Sequence, residues 1–421
     1  MRLLILGDFR GHEGAERQPL ARRQTLKVDL DTFDDVFARL APRLRTPEGD
    51  ITFTQLDDFH PDRLYARLGV FATLRDARAN PPAEHDELLG RLLGQASPPD
   101  AASLPPASGL DALIRQVVAP HVVKDTSAQT QAHLSAVDAA IAEQMRRLLH
   151  DPAFQALEAA WRGVHWLLSN LELDENLQLH LFDVSRDELL ADIVAAKGQL
   201  AQTGVYQALV DRWRNVPGGQ GWSAVAALSR FGPSDTDIGL LAALGLVASQ
   251  AGGPLLGDAD PVLADGDEAA LAGWHALRRS EAASWIALAA PRILLRQPYG
   301  KRSDPIESFA FEEFAASPVH EGFLWGHASL ALAMLIGRGF SQRGWEAVPG
   351  DERDIDGLPA FTFTGDDGPE LQAGAERYLT ESGIQRLLNA GLVPMASRRD
   401  RNAVVAVRVQ SIADPPAALA W

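Results

Sequence analysis

The chain of 421 residues has no cysteine. That absence excludes disulfides, thiolate metal sites and cysteine nucleophiles, and it suits a reducing cytoplasmic compartment. It also lacks any uninterrupted apolar run of about 20 residues, the length a membrane-spanning helix needs. The opening Met1-Arg2-Leu3-Leu4-Ile5-Leu6 has the look of a short signal sequence, but Asp8 interrupts it and no small-residue cleavage site follows; a buried strand is the better expectation. A basic stripe is missing as well. The formal net charge is −17, which argues against nucleic acid or an anionic membrane as partner. No solenoid repeat occurs. What is present is 46% apolar sequence, enough for a globular chain of two or three domains with a sizeable core.

Periodicity places the elements. Leu3–Leu6 reads as a buried strand that ends at Gly7-Asp8. Thr25–Leu30 and Ile51–Leu56 alternate as strands. Between them Asp31 or Thr32 caps a helix with Phe33, Val36, Phe37 and Leu40 on one face, and Pro61 opens another helix. Residues 80–108 carry Pro81, Pro82, Pro98, Pro99, Pro105 and Pro106 among alanine and serine, a linker composition. Leu110–Val118 is read as one short amphipathic helix, and Ala132–Leu149 has helical spacing of apolar residues. Asp151 then caps a helix with Pro152 at its first position and Phe154, Leu157, Trp161, Val164 and Leu168 on one stripe. Asn176–Val184 alternates as a strand and Ser185 caps the helix after it. Further strands are expected at Ile286–Leu295, Leu392–Met395 and Ala403–Val409, with Pro291 interrupting or edging the first of these. Helices are expected over Ala328–Arg338 and over Glu381–Ala390, the last ended by Gly391.

Candidate chemistry is sparse. Gly300-Lys301-Arg302-Ser303 lacks the upstream glycine of a phosphate loop, since Leu295 stands there. Arg292, Arg296, Lys301, Glu307, Glu312 and Glu313 offer either an acid–base cluster or a structural salt-bridge network; the network is the expectation. His320, Glu321 and His327 lack zinc-ligand spacing. Asp258, Asp260, Asp265 and Asp267 lack the alternation and closing glutamate of a calcium loop. Ser185, Ser280 and Ser303 have no glycines of a nucleophile elbow. Trp161, Trp166, Trp285 and Trp325 lie in apolar segments; Trp161, Trp285 and Trp325 are expected as core anchors rather than a ligand cage. No cofactor, metal or catalytic residue is expected, and the chain reads as a non-enzyme.

Seven stretches carry a resemblance. PRILLRQPYGKRSDPIESFAFEE (291–313) and HEGFLWG (320–326), with HDPAFQALEAAWRGVHWLL (150–168) and Trp274-His275-Ala276-Leu277-Arg278, resemble the large subunit (TssC/VipB, ImpC/EvpB-like) of the type VI secretion contractile sheath. LLILGDFRG (3–11), LKVDLDTFDDVFARL (26–40) and FTQLDDFHPDRLYARL (53–68) resemble its small subunit (TssB/VipA-like), in the same order. Residues 218–237 depart from the large-subunit pattern, in which an acidic and aromatic motif follows the strand. The resemblance implies a small-subunit-like domain over 1–80, a Pro/Ala-rich linker over 81–130 and a large-subunit-like domain over 131–421. It implies an α/β (α+β) fold of mixed sheets flanked by helices, as in contractile tail sheaths, and a structural role in a phage-tail-like machine.

The same family polymerises by exchanging edge strands through extended arms. Here the first strand begins at Leu3 and the chain stops at Trp421, so both arms are expected to be missing. That gives the expectation of a non-polymerising, terminating or baseplate-proximal sheath-like unit, with a soluble adaptor or regulator of sheath or baseplate subunits as the alternative. Sheath, baseplate or inner-tube proteins are the implied partners. A sheath-recycling unfoldase is another, gripping Leu110, Leu113, Ile114 and Val117, although these side chains could equally pack on the body.

Overall fold

The computed structural model describes residues 1–11, 17–46, 49–80, 126–365, 368–399 and 401–421. The chain divides into two compact units. The first comprises Met1–His60, Leu149–Pro298 and Phe314–Trp421; the second comprises Pro61–Leu148 and Tyr299–Glu313.

The first unit is built on nine strands: β1 (Arg2–Gly7), β2 (Leu26–Val28), β3 (Gln178–Asp183), β4 (Ala224–Phe231), β5 (Leu255–Ala259), β6 (Ile286–Ala290), β7 (Asp354–Asp356), β8 (Val393–Ser397) and β9 (Ala403–Ala406). They form one mixed sheet in the order β7-β9-β8-β6-β5-β4-β1-β3-β2. The run from β8 to β3 is parallel, while β9, β7 and β2 are antiparallel to their neighbours. A parallel interior needs both faces covered, which explains why β1, β5 and β6 are buried along their whole length.

Helices supply that cover. They are α1 (Phe33–Leu40), α2 (Pro152–Ser169), α3 (Arg186–Ala195), α4 (Asp235–Ala251), α5 (Ala272–Arg278) and α6 (Ala328–Arg343). On one face α6 packs on β4, β5 and β6 and also on α2, while Phe33 and Phe37 of α1 pack on Trp161 of α2. On the other face α3, α4 and α5 bury Leu189, Leu240, Leu241, Leu244 and Trp274 in one cluster with Leu4 and Leu6 of β1. Alternation along β1 sends Leu4 and Leu6 to that face and Leu3 toward Gly337 of α6.

Local signals explain the boundaries. Asp151 accepts from the amides of Ala153 and Phe154, with Pro152 at the first helical position of α2. Ser185 and Glu188 form a reciprocal capping box on α3. Gly391, at φ +81°, follows the Glu381–Asn389 helix. The expected strand from Ile286 to Leu295 is instead two pieces. β6 ends before Pro291, which has no N–H for a ladder, and Ile293–Leu294 pairs with Trp325–Gly326 in a separate two-stranded sheet.

The second unit contains helices Pro61–Arg67, Ala72–Ala79 and Thr126–Leu149 together with the motif segment Tyr299–Glu313. Tyr65 packs on Phe71 and Phe309, with ring centroids 5.8 and 5.0 Å apart. Arg78 pairs with Asp138 at 2.7 Å. The compact units therefore cut across the divisions at 80 and 130 drawn from sequence, because β1 and β2 belong to the sheet of the first unit.

Candidate functional site

The motif residues serve as joints of the framework. In the first unit Arg292, just after β6, is held by Glu376. The backbone amide and Nε of Arg292 each donate to Oε2 at 3.1 Å, and Nη2 donates to Oε1 at 2.9 Å. His320 Nε2 lies 2.9 Å from the same carboxylate, and its ring stacks on Trp325. Burial pushes the Glu376 carboxyl up, but the hydrogen bonds and charge of Arg292 outweigh it and hold it down at about 2.

A second joint forms around Glu158 on α2, which is fully buried. Its Oε1 accepts from Nε of Arg296 at 3.0 Å and from Nε of Arg162 at 2.6 Å. A charge this deep is tolerable only when paired and hydrogen-bonded.

In the second unit the remaining charged residues of the motif close a loop. The Tyr299 amide donates to the Glu313 carboxylate at 2.7 Å, and the Glu313 amide donates back to the Tyr299 carbonyl at 2.8 Å. The Lys301 amide donates to Glu312 Oε1 at 3.3 Å. A Cβ at Gly300 would meet Glu312 Oε2 at 2.1 Å, so a larger residue there would have to displace the Glu312 carboxylate. The amides of Glu307 and Ser308 donate to Asp62.

Of the six residues expected to form one network, two find carboxylate partners within the first unit. Arg292 and Arg296 lie in the first unit and engage Glu376 and Glu158; the other four lie in the second. A guanidinium brought close to a core takes up carboxylates that its tertiary neighbours present. Glu158 carried a usable signal, since it lies on the apolar stripe of Phe154, Leu157 and Trp161. Glu376 sits in an irregular segment and carried none.

Of the expected anchors, Trp161 is fully buried, donates from Nε1 to the Phe9 carbonyl at 2.9 Å and touches Phe9, Phe33 and Phe37. Trp325 is buried beside Phe323 and Leu294. Trp285 departs from expectation: it ends a 3-10 turn ahead of β6 and is only half-buried. Trp222 and Trp274 are fully buried in the cluster on the opposite face. Leu110, Leu113, Ile114 and Val117 lie outside the described residues.

Among the described residues no group of three or more His, Asp or Glu is arranged to hold a metal ion. His327 Nδ1 lies 2.6 Å from Asp258 Oδ2, and Asp258 Oδ1 accepts from the Ser329 amide at 2.9 Å. Asp260 pairs with Arg230 and Asp265 with Arg386, so the aspartates of 257–267 are spread over separate contacts. No helix among the described residues is long and apolar enough to cross a membrane.

The two outer edges of the sheet are short. β2 and β7 have three residues each, and no further strand pairs with them among the described residues. On β7, Asp354 pairs with Arg398 at 2.7 Å and with Arg401 at 3.2 Å, and Asp356 pairs with Arg401 at 3.2 Å.

Comparison with known families completes the picture. The family described as "EvpB/VC_A0108, tail sheath N-terminal domain" matches residues 131–270 and 264–413. The family described as "Type VI secretion system, VipA, VC_A0107 or Hcp2" matches residues 1–81. The type VI secretion system sheath protein TssC1 of Pseudomonas aeruginosa is 29% identical over 315 residues, covering 70% of this chain and 63% of the relative's length. With a VipA-type segment running into a sheath segment that spans most of its length, this chain belongs to the tail-sheath family of the type VI secretion system.

Proposed function

We propose that the chain is a non-enzymatic structural component of a cytoplasmic type VI sheath that docks on or ends the sheath wall without threading a lattice. The observation that carries this reading is the pair of blunt sheet edges. A strand donated by a neighbour needs an open row of backbone groups to pair with. Three-residue edges, one of them with both aspartates tied to arginines, offer little of that row and resemble the devices by which proteins protect sheet edges. Residues 1–80 are taken as the small-subunit-like part, 81–130 as its connector and 131–421 as the large-subunit-like part. Fusion holds the two at one-to-one stoichiometry and high effective concentration. Partners on this reading are sheath, baseplate or inner-tube proteins.

Electron microscopy of the purified protein, and co-sedimentation with a sheath assembled from separate small and large subunits, test the proposal. The expected result is no tube from this chain alone and pelleting with the preassembled sheath. Long tubes formed by this chain alone would overturn it. Capture of soluble subunits with no pelleting would favour the adaptor reading instead.

A further inference from the structure

A cavity of about 370 Å³ opens at the C-terminal ends of β1 and β3, beside Arg10, Arg17, Arg23, Arg39 and Asp183. Its position has a topological cause. β1 and β3 are adjacent and parallel, with Gly7 opposite Asp183. The first α-helix after β1, α1, packs on the α2 face of the sheet, whereas α3, directly after β3, packs on the α4 face. Where neighbouring parallel strands send their helices to opposite faces, a crevice is left beyond their carboxyl ends, and open α/β sheets bind ligands there.

The crevice is cationic within a chain whose formal net charge is −17. Two of its arginines are already in use. Arg17 pairs with Asp8 at 2.6 Å and with Glu188 at 2.7 Å. Arg23 pairs with Glu188 at 2.7 Å and donates to the Asp183 carbonyl at 2.6 Å. These pairs hold the rim in place. The other two have unused donors. Arg10 forms an ion pair with Asp183 Oδ2 at 3.4 Å, but its buried Nε makes no hydrogen bond and its two terminal nitrogens have none among the described residues. Arg39, in the last turn of α1, makes neither a hydrogen bond nor an ion pair among the described residues. A buried N–H that makes no hydrogen bond is costly, and a bound oxyanion would satisfy it. Two guanidinium forks beside one cavity match the several acceptor oxygens of a phosphate group.

The acid in the crevice does not oppose this. Asp183 Oδ1 already accepts from the Phe9 amide at 3.1 Å, and the Arg10 guanidinium 3.4 Å from Oδ2 offsets its charge. The cavity is also larger than one phosphate group requires, and Leu26 and Leu40 line it as an apolar floor for an organic portion.

We propose that this crevice binds the phosphate group of a small phosphorylated molecule, with Arg10 and Arg39 as the direct ligands. Isothermal titration calorimetry on the full chain tests it, with inorganic phosphate and adenosine monophosphate as separate probes. Saturable binding is expected, weakened by added sodium chloride. Arg10→Gln and Arg39→Gln should each weaken it about tenfold, the loss of one charge-assisted contact. Arg45→Gln, at an exposed position on the Arg43–Thr46 strand, should leave it unchanged. Tighter binding of the nucleotide than of phosphate would support an organic portion seated on Leu26 and Leu40; equal affinity would support a site for the phosphate group alone. Absence of saturable heat with both probes, or Arg10→Gln and Arg39→Gln binding as the unaltered chain does while circular dichroism stays the same, would overturn the proposal.

Discussion

Replacing Glu376 with glutamine should destabilise the first unit in a strongly pH-dependent way. In the folded chain Glu376 accepts three hydrogen bonds from Arg292. Its carboxyl is held at about 2, against 4.5 for the free side chain. At 1.36 kcal/mol per tenfold change in proton affinity, that difference is worth about 3 kcal/mol at neutral pH. The folded carboxyl binds its proton more weakly than the unfolded one. The contribution is therefore complete above 4.5 and is lost as pH falls toward about 2. Glutamine keeps the shape and one acceptor but carries no charge at any pH. The gap between the native chain and Glu376→Gln should then be about 3 kcal/mol at neutral pH and narrow to about 1 kcal/mol near pH 3. Urea unfolding followed by tryptophan fluorescence across this range measures it. Comparing the two proteins at each pH cancels other acid-sensitive groups, including Glu188, whose carboxyl is also held at about 2. A gap that stays constant with pH would show that packing, not the charged pair, joins Arg292 to Glu376, and would refute the reasoning.

Three further outcomes follow from the same structure. Trp161→Phe should cost about 1–3 kcal/mol in urea unfolding, because the buried Phe9 carbonyl loses the indole donor; a neutral substitution would contradict that contact. His180 is buried, and burial followed by the charges of Arg2 and Lys27 holds it down at about 4. The folded chain thus binds this proton more weakly than the unfolded chain, and stability should fall as pH drops from about 6.5 to about 4; His180→Gln should remove that part of the slope in the same assay. A protease site inserted between residues 81 and 125 should give two fragments that co-elute after cleavage and separate only in denaturant. The reason is that β1 pairs along six positions with β3 and four with β4; separation in plain buffer would contradict the central place of β1.

Much of the framework is legible in the sequence because its causes are local. The Leu3–Leu6 run, the caps at Asp151 and Ser185, the stop at Gly391 and the apolar stripe of α2 each act within one turn or one strand. Where Pro291 divides a strand, the proline itself was visible, but not that Ile293 and Leu294 would leave the large sheet for Trp325 and Gly326.

Only the tertiary structure decided which partners meet. A buried run such as Leu3–Leu6 says that a strand has neighbours on both sides, but parallel pairing leaves no mark of which ones. β1 lies between β3 and β4, whose residues follow it by more than 170 positions. Arg292 and Arg296 were visible as cations near a core, yet Glu376 and Glu158 reach them from distant segments. The arginine-lined crevice is likewise absent from any motif, since the opposed departure of α1 and α3 creates it. Hydrophobic period and capping chemistry act between near neighbours and are written in the sequence by itself; strand order, ion-pair partners and clefts depend on contacts far apart in the chain, which only the folded chain sets.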